Sequence, residues 1–312
     1  MSNRAKGIIA ILVASLGFAF MSIFVKLAGD LPVAQKVIFR NIVSMIVAFI
    51  MVTINKESYY GKKENRELLY IRSAFGTIGM LLFFYSISNL VAADANALNK
   101  LSSFFLIGFS FLVLRERISK PQLIAIIIAF IGALLIIKPS LDFEILPYFT
   151  SIMAAMFAGA AYTMLRLLGN KEKYYTIVLF FSTFSFIVLL PFVAYNYVPM
   201  TSMQWLYLFL TGLGATIGQF GTTIAYKYAP AKEISIFNFS NVVFVTLLAI
   251  PILGELPDYL SLIGYFVIFG ASFYMFKYKK PEVEDIWYNI LKVIFWIYKN
   301  INEEGANNVW FS

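Results

Sequence analysis

The sequence predicts an all-α membrane protein: ten transmembrane helices arranged as a 5+5 inverted repeat, followed by a C-terminal amphipathic helix lying in the interface. Three observations carry this prediction. The 312 residues are 60% hydrophobic and only 13% charged, with a mean hydropathy of +0.78, whereas a soluble domain carries about 25% charged residues. The chain contains ten apolar stretches, most of 18 to 23 residues, long enough to cross a hydrocarbon core of about 30 Å with some tilt. Residues 92–117 also have a fainter copy near 231–256, displaced by 139 positions.

Taken in order, the spans lie near 6–28, 33–53, 68–89, 93–114, 121–138, 147–168, 174–195, 204–226, 233–253 and 258–277. Pro32, Pro139, Pro147, Pro199, Pro230, Pro257 and Pro281 fall at or near their ends, where a missing N–H is tolerated. Pro121 suits the first turn of span five behind a Ser119 cap, and Pro251 is expected to bend span nine. The first span exceeds the apolar core of a removable signal peptide and is read as retained.

Loop charge sets the orientation. Arg4, Lys6, Lys56, Lys62, Lys63, Arg66, Arg72, Arg115, Arg117, Lys120, Arg166, Lys171, Lys173, Lys227, Lys232, Lys277, Lys279 and Lys280 are assigned to one side. The other side receives only Lys26, Lys36 and Lys138. The positive-inside rule then places both termini in the cytoplasm of an inner-membrane protein. The net charge of +8 is thereby read as orientation charge facing anionic lipid, not as a nucleic-acid surface. In the tail, Asp285, Asn289, Lys292, Lys299 and Glu303 form a narrow polar stripe opposite Trp287, Ile290, Leu291, Ile294, Phe295, Tyr298 and Ile301. That pattern predicts an interfacial helix.

The repeat divides the chain into 1–140, 141–280 and the tail 281–312. The displacement of 139 lays Asp94 on Glu233, Asn99 on Asn238, Glu116 on Glu255, and Thr77-Ile78-Gly79 on Thr216-Ile217-Gly218. With five spans per half, the second half enters from the opposite face. Inverted repeats of this kind place a site near the midplane that opens alternately to each side.

The segment Tyr85 to Ile137, its weaker copy from Tyr226 to Phe276, and Phe39-Arg40 together resemble the EamA branch of the drug/metabolite transporter superfamily. The resemblance covers the chain to about residue 280. It implies a ten-helix fold with a central cavity lined by spans 1, 3, 4, 6, 8 and 9, and with spans 5 and 10 packed together away from the substrate. It also implies transport of small solutes such as amino acids, nucleotide-like metabolites or vitamins, by proton coupling, exchange or facilitated passage.

Candidate substrate-binding residues follow from polarity inside apolar spans. In span four, Asn96, Lys100 and Ser103 share a face at i, i+4, i+7, with Asn99 beside them. Lys100 either receives an anionic group of the substrate or snorkels to the interface. In span nine, Asn238 and Asn241 either contact the solute or join helices. Gln219, Thr222 and Tyr226 form one face of span eight, beside Gly212, Gly214, Gly218 and Gly221; Tyr85 and Tyr162 can add amphipathic rings. Arg40 either faces the cavity or pairs with Asp94. Asp94 and Glu233 are expected as helix caps and are also candidate proton carriers. Glu116 and Glu255 are expected to cap spans five and ten.

The function expected is secondary transport of a small polar or zwitterionic metabolite across the cytoplasmic membrane, with lipid as surroundings and a proton or counter-substrate as coupling partner. No cofactor is expected. Absence of cysteine and histidine removes thiol chemistry, His-based metal sites and His bases. No Walker-type phosphate loop occurs, and an intramembrane protease would need catalytic groups not present. A channel or lipid scramblase is the alternative, and a sustained polar stripe through several spans would favour a channel.

Overall fold

The computed structural model describes residues 3–114, 118–138, 145–169, 171–228 and 235–277, which form helices and turns with no strand among them. The helices are α1 Asn3–Leu27, α2 Val33–Ile54, α3 Arg66–Asn89, α4 Ala92–Asn99, α5 Ser102–Leu114, α6 Lys120–Ile137, α7 Ile145–Leu168, α8 Tyr174–Tyr195, α9 Ser202–Tyr228, α10 Ser240–Leu253 and α11 Tyr259–Lys277. Short 3-10 turns occupy Lys63–Asn65 and Ser235–Phe239. Glu116, Glu233, the side chain of Tyr226 and the expected tail helix at 281–312 lie outside the described residues.

Among the described residues, seven stretches are long and apolar enough to cross a membrane: 5–27, 33–54, 63–89, 92–113, 120–137, 145–168 and 174–195. Two further apolar helices, 237–253 and 259–275, are shorter. The 27 residues of α9 extend about 40 Å at 1.5 Å per residue. The protein is thus a multi-pass, all-helical membrane protein.

The ends of these helices follow local chemistry. α6 begins with Ser119 and with Pro121 in its first turn, and the Gln122 side chain accepts the Ser119 backbone N–H at 2.8 Å, a reciprocal cap. α10 stops at Gly254, whose φ of 68° is open to glycine at little cost. α6 stops at Lys138, which adopts φ 46° without being glycine.

Packing between helices relies on small residues, because lipid gives apolar faces no reason to prefer protein unless backbones come close. α1 meets α9 where Gly17 faces Gly214: a methyl group on Gly17 would lie 2.8 Å from the Gly214 carbonyl, and one on Gly214 would lie 2.7 Å from the Gly17 carbonyl. α6 meets α11 in the same way, with Gly132 against Gly264. Gly79 of α3 sits against Ala154 and Ala158 of α7, and Gly159 of α7 against Ser102 and Phe105 of α5. α2 packs on α8 and α9, and α4 meets both α7 and α10. One buried cluster joins Leu98, Leu101 and Phe104 to Ala125, Ala129 and Ala133, and to Val242, Ile268 and Ala271.

Three expectations are corrected. Span four is not one helix but two, α4 and α5, and span nine begins as a 3-10 turn before α10. Arg72 is not a loop residue: α3 starts at Arg66, so Arg72 lies about 9 Å inside it. Pro191, like Pro251, falls inside a helix, near the end of α8.

The glycine contacts make a direct prediction. Gly214→Val should lower the melting temperature of the detergent-solubilised protein, as overpacking costs about 1–3 kcal/mol. Gly108→Ala, where a methyl group meets nothing within 4 Å, should leave it unchanged or raise it slightly.

Candidate functional site

The interruption of span four is made by a switch in hydrogen-bond register. Lys100 N–H bonds to Ala97 O at 3.1 Å, Leu101 to Leu98 at 3.0 Å, Ser103 to Lys100 at 3.2 Å and Phe104 to Leu101 at 2.9 Å. These are three-residue steps, tighter than the α-helix, and such turns inside helices mark hinges or strain. The displacement of 139 that aligns the two halves carries Lys100-Leu101 onto Phe239-Ser240, where the 3-10 turn of span nine gives way to α10. Both breaks therefore occur at the same register of the repeat.

Lys100 sits on the first break, half-buried and with no side-chain hydrogen bond or ion pair among the described residues. Asn99 and Ser103 flank it, also half-buried and with free side chains among those residues. Asn238 occupies the matching turn in span nine. The face expected for Asn96, Lys100 and Ser103 at i, i+4, i+7 spans this change of hydrogen-bond register.

Asn96 is engaged elsewhere. It is 3% exposed, donates to Ala92 O at 2.8 Å and exchanges hydrogen bonds with Ser22 Oγ of α1. Asn241 donates to Ser15 O of α1 at 3.1 Å, and its Oδ1 is buried without a partner. Both amides thus tie a broken span to α1. On α9, Gln219 and Thr222 are half-buried, and Thr222 Oγ1 has no partner among the described residues. Tyr85 lies near the end of α3, its carbonyl receiving the Asn89 side chain.

The expected Arg40–Asp94 bridge is not formed. Arg40, 2% exposed, donates to Asn41 Oδ1 at 2.6 Å, while its Nε has no partner. Asn41 in turn donates to Ser185 of α8 at 2.8 Å. Asp94 instead accepts the Tyr265 hydroxyl of α11 at 2.5 Å. Its expected role as a cap falls to another acid. Glu255 accepts the Ala92 N–H at 2.8 Å at the start of α4, so Glu255 caps span four and not span ten. Span ten is capped by Asp258, whose Oδ1 accepts from Leu260 and Ser261 at 2.9 and 3.0 Å.

The lysines of the predicted outer face are pinned. Lys26 pairs with Glu255 and bonds to Leu90 O. Lys36 bonds to Ser88 at 2.9 Å. Lys138 pairs with Asp258 and bonds to Ser261 at 3.1 Å. Burial pushes the Asp258 carboxyl up, but the Lys138 hydrogen bond, the two backbone N–H bonds and the Lys138 charge outweigh it and hold it below the usual range. Lys26, Glu255 and Ala92 together clasp α1, α4 and the loop after α10 on one face.

Sequence reading missed Arg72. Its guanidinium stacks on the Phe181 ring of α8, 4.1 Å from the centroid, and Nη1 has no hydrogen-bond partner. Arg40 and the Tyr162 hydroxyl lie within electrostatic range of it. Tyr162, on α7, is 47% exposed. The available signal was position: Arg72 falls within the apolar stretch 68–89, not before it.

Comparison with known proteins agrees with this architecture. The family described as "EamA-like transporter family" matches residues 5–138 and again 145–277. The chain is 27% identical over 277 residues to the pseudopaline exporter CntI of Pseudomonas aeruginosa, covering 88% of this chain and 97% of that one. It is 22% identical over 282 residues to human solute carrier family 35 member G1, covering 85% and 77%. A solved crystal structure superposes with a TM-score of 0.62 at 16% identity, over 88% of this chain and 96% of that one, a likeness that speaks for the fold. The family and these relatives are transporters, not enzymes.

Two measurements test the outer-face contacts. Lys26→Met and Glu255→Gln should each lower the melting temperature, and the double variant should lose little more than the worse single one, since the pair acts as a unit. Asp258 is ionised to lower pH in the folded protein than in the unfolded chain. Its stabilisation is therefore complete above the unfolded value of about 4 and lost as pH falls through the lower folded value. Asp258→Asn should remove that part of the acid-side decline in stability.

Proposed function

The chain belongs to the EamA-like transporter family, and on that premise we propose that it is a secondary transporter of a small polar or zwitterionic metabolite, such as an amino acid or nucleotide-like compound. It works without ATP, by alternating access across the cytoplasmic membrane, with both termini in the cytoplasm. The observation that carries this reading is the pair of register-matched helix breaks: Lys100, unpartnered among the described residues, stands on one, and Asn238 stands on the other. Discontinuous helices at equivalent points of two repeats are where carriers expose backbone and polar side chains to solute.

The ten-span, 5+5 inverted arrangement is part of the proposal. It is supported by two family matches of nearly equal length and by helix contacts that come in exchanged pairs. α1 on α9 answers α7 on α3, and α1 on α10 answers α7 on α4 and α5. α2 on α9 answers α8 on α3. Such pairing lets one half rock against the other while keeping each contact's chemistry. A proton, for which Asp94 is the described candidate carrier, or a counter-substrate drives the cycle. Lys100, Asn99, Ser103, Asn238, Gln219 and Thr222 line the path in this reading, while Asn96 and Asn241 position the broken spans against α1.

Purified protein in liposomes should show saturable counterflow of one solute. Lys100→Ala and Asn238→Ala should each reduce it while folded yield stays close to that of the parent. Non-saturating ion conductance, or lipid movement without solute flux, would replace the carrier with a channel or scramblase.

A further inference from the structure

The described interior is electrically lopsided. Arg40 lies about 10 Å into α2, Arg72 about 9 Å into α3, and Lys100 in the break of span four. Among the described residues the carboxylates within the α-helices are Asp94, which is occupied by Tyr265, and Glu67, in the first turn of α3 at its end. Neither arginine makes an ion pair with a described residue. Instead both guanidinium groups are tied to neighbouring turns of α8: Arg72 lies over the Phe181 ring, and Asn41, which accepts from Arg40, donates to Ser185. Like charges so placed repel, and the Tyr162 hydroxyl is within electrostatic reach of both.

Structural arginines inside membranes avoid this by pairing with acids or backbone carbonyls. Here Arg40 spends one nitrogen on the Asn41 amide and leaves Nε buried and unpaired; Arg72 lies flat on Phe181 and leaves Nη1 unpaired. Three neutral hydroxyls of the same helices, Ser73 and Thr77 of α3 and Ser182 of α8, are also buried with no partner. This is a donor-rich, acid-free cluster around α2, α3 and α8, bordered by Tyr162 of α7.

We infer that Arg40 and Arg72, with the Tyr162 hydroxyl, form a subsite for an oxyanion, a carboxylate or phosphate carried by the transported solute. Guanidinium groups present planar, fixed donors that suit two oxygens of such a group. Stacking on Phe181 holds the Arg72 plane without consuming its donors. An arriving anion relieves the repulsion between the arginines and satisfies the orphaned N–H. The inference rests on the carrier reading and narrows it: the solute brings a net negative group to this cluster, separate from whatever Lys100 contacts.

The test uses the full-length protein in detergent and matched probes: succinate against succinamide, glutarate against glutaramide, inorganic phosphate, and micelles with or without phosphatidylglycerol. The carboxylates or phosphate should raise the melting temperature and the amides should not. Arg72→Gln should abolish the rise, Arg72→Lys should restore it in part, and Tyr162→Phe, which keeps the ring, should reduce it. In liposomes, KM for the stabilising anion should increase ~10- to 100-fold in Arg72→Gln, the loss of one charge-assisted contact. Equal stabilisation by acid and amide, or Arg72→Gln transporting with unchanged KM, would overturn the subsite while leaving the carrier reading intact. Stabilisation by phosphatidylglycerol alone would reassign the cluster to a lipid headgroup and likewise overturn it. Lipid movement without solute flux would instead remove the carrier reading itself.

Discussion

A charge inside a hydrocarbon layer must reach the interface, meet water or find a partner, and that constraint sorts the polar residues of this chain. Lys26, Lys36 and Lys138 run against the positive-inside bias, and each is held by a neighbour: Glu255, Ser88 or Asp258. Asp94 is held by Tyr265. Once these are set aside, Arg40, Arg72 and Lys100 remain as interior cations with no described acid. The clasped face and the uncompensated interior are two outcomes of the same rule. The clasp ties α1, α4 and the loop after α10 together, and the cations stand where we propose that an anion is accommodated.

Close backbone approach makes such a bundle coherent without making it rigid. Gly17, Gly214, Gly218 and Gly221 bring α1 and α9 into close contact over several turns, and Gly132 meets Gly264 between α6 and α11. The 3-10 steps at Lys100-Leu101 and before Ser240 supply the local compliance. The close contacts and the 3-10 steps thus fall on different helices, an arrangement compatible with the alternating access proposed above.

Much of the fold was legible because apolar length is a strong signal. The bounds of α2 and α8 match the expected spans almost residue for residue. The breaks in spans four and nine were not legible, since AADANALNKLSSFF contains no proline or glycine to announce them. What marks the first break is polarity at Asn99 and Lys100, which on a continuous helix reads as a binding face. The caps were misassigned for a related reason. Sequence proximity favours Asp94 as its own helix's cap, whereas the acid that reaches Ala92 comes from Glu255, far along the chain. Arg72 was hidden by the habit of counting a basic residue near a span's end as loop charge, although α3 already begins at Arg66. The candidate site was therefore half visible: Lys100, Asn99 and Asn238 could be named from the repeat, while the Arg40–Arg72–Tyr162 cluster required three helices to be placed together.

The central claim is that one interior site is reached from each side in turn. The chain has no cysteine, so Ser103→Cys introduces a single thiol beside the break. Its labelling by a membrane-impermeant maleimide can be followed in vesicles of either orientation. Alternating access predicts labelling from both faces, slowed from both by the transported solute. Labelling from one face alone under every condition, or labelling indifferent to the solute, would contradict it.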